Sequence, residues 1–169
     1  MSQRNKWLEK VGRTGLKTVK FDVGNGGGKP LFEQLDFAHT LTGLGNEATA
    51  WAMYAYSNTE DEKSLNFITA RLSKIILRKH PNVPTKAVVG LVKITLREHL
   101  MYAPGTKTRK GCSVTARSLA MGIARKTYYV HSNAIDSATQ TIMELVRSWE
   151  SQIADSVGKK TNLKLRPNN

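Results

Sequence analysis

The stretch "SVTARSLAMGIARKTYYVHSNAID" (residues 113–136) decides how this chain is read. It offers a short helix, a glycine, and the start of a second helix. A helix–turn–helix needs a first helix with a small residue where the second crosses it. It then needs a tight turn, commonly glycine, and a second helix whose early residues enter the major groove. Ser118 or Ala120 supplies the small residue, Gly122 the turn and Ile123 the apolar residue after it. Arg125, Lys126 and Thr127 then open the second helix, where cations can donate to guanine edges or phosphates. The register is imperfect. Arg117 falls where an apolar residue is usual, and His131 where a recognition helix is usually buried. The plain alternative is a solvated helix end, so the decision rests on the surrounding charge.

The chain of 169 residues carries a formal net charge of +13, unevenly spread. Residues 1–30 hold seven Lys/Arg against Glu9 and Asp22, and residues 31–98 are nearly balanced, with eight cations and seven anions. From His99 to Ile135 there are six cations (Lys107, Arg109, Lys110, Arg117, Arg125, Lys126) and no acid. Residues 136–157 then turn acidic, and the tail adds Lys159, Lys160, Lys164 and Arg166. A like-charged stretch of this length repels itself unless an anion neutralises it. Nucleic acid is the favoured partner, with double-stranded DNA indicated by the helix–turn–helix spacing.

Outside that window the chain reads as all-α: a small helical bundle with a C-terminal helix–turn–helix and a long final helix. Leu44, Ala48, Trp51, Ala52 and Ala55 form one helical stripe; Leu65, Ile68, Leu72, Ile75 and Ile76 form a second, ended by His80-Pro81. Thr59 and Glu62 have capping-box spacing ahead of that second stripe. Pro84 suits a first helical turn, and Val88, Leu91, Val92, Thr95 and His99 form a third stripe up to "APG". Ile135, Ala138, Ile142, Leu145, Trp149 and Ile153 give the clearest helix, whose apolar edge can bury against the bundle or a second copy. Three segments follow from this reading. Residues 1–30, with the glycine-dense "VGNGGGKP", are a flexible basic arm; residues 31–157 are one all-α domain; residues 158–169 are a disordered basic tail.

No catalytic constellation is present, and the chain reads as a non-enzyme. "GGGKP" lacks the first glycine and the Ser/Thr of a phosphate loop, since Val23 and Pro30 stand there. Cys112 is the one cysteine, and a lone thiol makes neither an internal disulfide nor a zinc site. His39, His80 and His99 have no metal-ligand spacing, so no metal or cofactor is expected. Trp51 and Tyr54 sit in an uncharged segment and read as packing residues. No apolar run is long enough to span a bilayer, and "MSQRNKWLEK" is not followed by the apolar core of a secretory signal. The expected compartment is a reducing cytoplasm, with no membrane partner.

The chain resembles the lambda-type phage late-gene antiterminators, the Q proteins. The similarity runs through "LTGLGNEATAWAMYAYSNTEDEKSLNFITARLSKIILRKHPNVPTKAVVGLVKITLREHLMYAPG" and resumes in "SVTARSLAMGIARKTYYVHSNAID", about two-thirds of the chain. The matching features are the Gly-x-Gly start, the acidic helix opening, two following helices, the "APG" exit and the late helix–turn–helix. The family pattern has a CxxC…CxxC zinc module between that exit and the final helices; here only Cys112 remains, after "TKTRKG". Whatever that module does is absent here or done by the basic loop. The resemblance implies a protein that binds a DNA element at a late promoter in the host bacterial cytoplasm. It would load onto RNA polymerase holoenzyme at a promoter-proximal pause, with or without a host elongation factor, and make it read through terminators. It carries over Arg125, Lys126, Thr127, Tyr128 and Tyr129 as the recognition turn. The spacing and charge add Lys107, Arg109, Lys110 and Arg117 as DNA contacts. Two other readings stay open: a repressor or activator using the same motif at initiation, and an RNA- or DNA-coating protein without sequence choice.

Overall fold

The computed structural model describes residues 41–56, 61–101 and 111–164. The expected arm over residues 1–30, Thr59 of the expected capping box, and the loop cations Lys107, Arg109 and Lys110 lie outside the described residues. All regular structure among the described residues is helical, as the apolar periodicities predict. In chain order the helices are α1 (Asn46–Tyr56), α2 (Glu62–Lys79), α3 (Val88–Met101), α4 (Val114–Ala120), α5 (Arg125–Val130) and α6 (Ser132–Lys164), with a 3-10 turn at Thr85–Ala87 before α3. No described helix is long and apolar enough to cross a membrane.

The described residues fall into two compact units. One unit holds residues 41–65 with 148–164, the other Asn66–Arg147. The first is built on α1 and the last part of α6. Its core is Ala48, Trp51 and Ala52 from one helix and Trp149, Ile153, Ala154 and Val157 from the other. The Tyr56 hydroxyl donates to Glu150 Oε1 at 3.2 Å. Burial first, and then the Glu150 charge, push that phenol well above its ordinary pKa.

The start of α2 is fixed by Asp61. Its Oδ1 accepts from the N–H groups of Lys63 at 3.1 Å and Ser64 at 3.4 Å, and its Oδ2 accepts from the Ser64 hydroxyl at 2.6 Å. A capping carboxylate satisfies amides that have no intrahelical partner. The Ser64 hydroxyl, foremost among these donors, holds the Asp61 carboxyl below the usual carboxylate range. Asp61 thus caps the start of α2.

The second unit buries Ile68, Leu72 and Ile76 of α2, Val88, Leu91, Val92 and Leu96 of α3, and Ile135, Ala138, Ile142 and Val146 of α6. The centres of the stripes read from the sequence are therefore buried, while Leu65, Ile75 and His99 at their edges are half-buried. His80 Nε2 lies 2.9 Å from Thr141 Oγ1. The Thr141 hydroxyl donates to the Ser137 carbonyl at 3.2 Å, which makes the histidine nitrogen the donor of this pair.

Helix α6 departs from the sequence reading twice. Val146 is fully buried, and Leu145, expected on the inner face, is half-buried. Of the buried positions 135, 138, 142, 146, 149, 153, 154 and 157, all but 154 fall on an eleven-residue repeat. That period, about 3.67 residues per turn, differs from the 3.5 of a left-handed coiled-coil seam. The helix also continues through Gly158 to Lys164, so the segment expected to be a disordered tail begins as helix. One glycine costs about 1 kcal/mol against alanine in a helix interior, too little to end a helix of 33 residues. No proline follows until Pro167.

Helix α3 meets the C-terminal end of α4 at Gly90. A Cβ at this position would lie 2.6 Å from the Met121 Cα and 2.9 Å from the Ala120 carbonyl carbon. This approach of α3 to α4 is a different contact from the crossing of α4 by α5 that the sequence assigns to Ser118 or Ala120; Ser118 is itself buried. Gly90→Ala should destabilise the protein by about 3 kcal/mol, the upper range for overpacking against backbone. Urea unfolding followed by circular dichroism measures this, and an unchanged midpoint would mean that the two backbones do not approach this closely.

Candidate nucleic-acid interface

The α4–α5 pair is shaped by local hydrogen bonding. Ser113 caps α4: its side chain accepts from the Ala116 N–H at 3.2 Å. At the other end, the Ile123 N–H donates to the Ser118 carbonyl at 3.0 Å, and the Gly122 N–H donates to the Leu119 carbonyl at 3.0 Å. These are the two bonds of a Schellman motif, which needs a left-handed residue between helix and exit. Gly122 supplies it at φ +63°. Met121 and Ile123, on either side, are buried. The glycine turn predicted from sequence is therefore present, with a defined chemistry.

Ala124, in extended conformation, leads into α5. Arg125 and Lys126 are exposed in its first turn, Thr127 is half-buried, Tyr128 is buried and Tyr129 is 56% exposed. The two tyrosine rings meet edge to face, 6.2 Å between centroids. Helix α5 is only six residues long, but it continues into α6 across a single non-helical residue, His131, at φ −105° and ψ 13°. The half-buried His131 is thus the bend between two helices.

Arg117 has a different role from the one expected. Its guanidinium is turned inward onto Glu98 of α3, with Nη2 at 2.5 Å from Oε2 and Nε at 3.1 Å from Oε1. Oε1 also accepts the backbone N–H of Cys112 at 2.7 Å. Gly111, at φ +72°, lies beside the same carboxylate; a Cβ there would stand 3.2 Å from Oε1. Burial alone would raise the Glu98 carboxyl, but the hydrogen bonds from Arg117 and Cys112 outweigh it and hold it below the usual carboxylate range. The bond to Glu98, with further help from Tyr128, keeps Arg117 firmly charged despite its burial. One carboxylate therefore ties α3, the Gly111–Cys112 segment and α4 together, and Tyr128 of α5 adds to the same cluster.

The sequence-predicted DNA contacts separate accordingly. Arg125, Lys126 and Tyr129 stand exposed on α5, and Thr127 beside them is partly accessible. Arg117 and Tyr128 are structural, because an ion-paired guanidinium and a buried ring offer nothing to a groove. Lys107, Arg109 and Lys110 fall outside the described residues. Sequence reasoning missed Glu98 and Gly90. The signal for Glu98 was available: an arginine at a position that favours an apolar residue demands a buried acid, and Glu98 is the last acid before the cationic window. Cys112, the one cysteine of the chain, is half-buried. Comparison with protein-family models, curated proteins and solved structures gives no match to this chain.

The ion pair has a pH signature. A carboxyl whose folded pKa is depressed adds stability above its unfolded pKa, about 4.3 for glutamate, and loses it as pH falls through the folded value. Glu98→Gln leaves the Arg117 charge buried without its counter-ion, and Arg117 retains a 16% exposed side chain. That exposure sets the expected loss at the low end for a broken buried pair, about 3 kcal/mol at pH 7. The gap between variant and parent should shrink as pH drops below about 4. Urea titrations from pH 3 to 7 test this; a gap that does not change with pH would remove Glu98 as the titrating partner.

Proposed function

We propose that this chain is a sequence-reading DNA-binding transcription regulator, a late-gene antiterminator of the phage kind. In this reading Arg125 and Lys126 address base edges or phosphates in the major groove, with Thr127 and Tyr129 on the adjoining backbone. The protein then joins RNA polymerase holoenzyme paused near the promoter and alters its response to terminators. The observation that carries the DNA-binding part is the exposure of Arg125 and Lys126 in the first turn of a helix set by a Schellman turn. They lie in a window without acid, and the nearest acid before it, Glu98, is neutralised internally by Arg117. The antitermination part rests on the resemblance in order and spacing described above. An unselective coating protein would have no use for a fixed turn presenting two particular cations.

Substituting Arg125 and Lys126 together by Ala should cost about 1–3 kcal/mol for each base-specific contact removed. Affinity for a duplex selected from a random library should fall far more than affinity for random duplex, both measured by fluorescence anisotropy. Equal losses on the two duplexes would identify the helix as a phosphate clamp only.

The loop cations are a separate case. Lys107→Ala, Arg109→Ala and Lys110→Ala should weaken binding on all sequences alike, each reducing the log–log salt slope by roughly 1. An unchanged slope in the triple variant takes the loop out of the interface. Transcription in vitro, on a template with a promoter-proximal pause and a distal terminator, tests the antiterminator reading. Read-through that does not respond to the protein, although the selected site is bound, would leave a regulator of initiation as the better reading.

A further inference from the structure

The outer face of α2 carries a stripe that the DNA-binding reading does not use. Its inner face is spent on the core through Ile68, Leu72 and Ile76. On the opposite side Arg71, Lys74 and Arg78 recur at i, i+3 and i+7, all exposed. Phe67, one turn before Arg71, is 40% exposed; Ala70 and Leu77, seven positions apart, are exposed along one edge, Leu77 to 42%. At 100° per residue these six positions fall in an arc of about 120°, and they cover about 17 Å of helix. No acid interrupts them: Glu62 is the only acid of α2, and it lies before the stripe.

Single exposed apolar residues need no explanation, but apolar residues aligned beside a cationic row on one helical face form a surface of mixed chemistry. A nucleic-acid backbone would use the cations and gain little from Leu77 or Ala70, because phosphate and sugar offer scant apolar area. A protein helix with acids along one edge and apolar residues along the other matches both parts, through charge complementarity and helix-on-helix burial. From this we infer that the outer face of α2 docks an acidic amphipathic helix of a protein partner. This surface is separate from the α4–α5 pair and does not depend on what that pair binds.

The test uses the full chain and three fluorescent probes. One is an 18-residue helical peptide with Glu at i, i+3 and i+7 and Leu along the adjoining edge. The others are a scrambled peptide of the same composition and a 20-base-pair duplex. Fluorescence anisotropy should show the patterned peptide binding at least tenfold more tightly than the scrambled one. Arg71→Gln with Lys74→Gln and Arg78→Gln should weaken the patterned peptide by tenfold or more, and so should Phe67→Ser with Leu77→Ser. Arg125→Ala with Lys126→Ala should leave it unchanged. Thermal melting confirms that each variant is folded, and the single substitutions Lys74→Gln and Leu77→Ser serve where a multiple variant is not. Equal binding of patterned and scrambled peptides would overturn the inference. So would α2 variants that lose duplex affinity and keep peptide affinity, since the face would then be a nucleic-acid contact.

Discussion

The Glu98 carboxylate is the point on which the described geometry of the α3–α5 region depends. Two charges removed from water repay their desolvation only when each lone pair and proton finds a partner. Glu98 meets that condition with two bonds from Arg117 and one from the Cys112 amide. Because those donors belong to different segments, satisfying the carboxylate also sets where α4 begins relative to α3. Gly90 then allows the backbone of α3 to lie against the end of α4, and the Schellman turn at Gly122 directs the chain into α5. The direction in which Arg125 and Lys126 face solvent is the last step of that sequence.

The same interaction changes how the charge is counted. Read along the chain, Arg117 is one of six cations in a window without acid. In the folded chain it is neutralised by an acid one position before that window. The outward positive charge of the helix pair therefore comes from Arg125 and Lys126, and Arg117 is an internal strut. A buried pair of this kind adds little net stability over a well-packed apolar one, so its contribution is to geometry.

Most of the fold was legible in the sequence, and the illegible parts share a physical cause. Ile68, Leu72 and Ile76, or Val88, Leu91 and Val92, announce their helices because a 3.6-residue period is a local property that burial then obeys. Gly122 was legible as a turn because the left-handed conformation is cheap only for glycine. The Asp61 cap was not legible, because several residue types before an apolar stripe are competent caps and helix ends shift by one or two residues. Val146 displaced Leu145 because the 3.6-residue turn of an α-helix drifts out of a heptad register. The functional surface was half legible. Exposed Arg125 and Lys126 follow from position in a helix, whereas the inward turn of Arg117 depends on a partner 19 residues away, signalled only by an arginine standing where an apolar residue is usual.

The separations spanned by these contacts also bear on the order in which the molecule assembles. Glu98 and Cys112 are 14 positions apart, and Glu98 and Arg117 are 19, so closing those loops costs little chain entropy. The Tyr56–Glu150 bond joins residues 94 positions apart. Contacts local in sequence are reached sooner than distant ones at similar stability. The meeting of α1 with α6 closes the longest of these loops and so carries the largest entropic cost of closure among them.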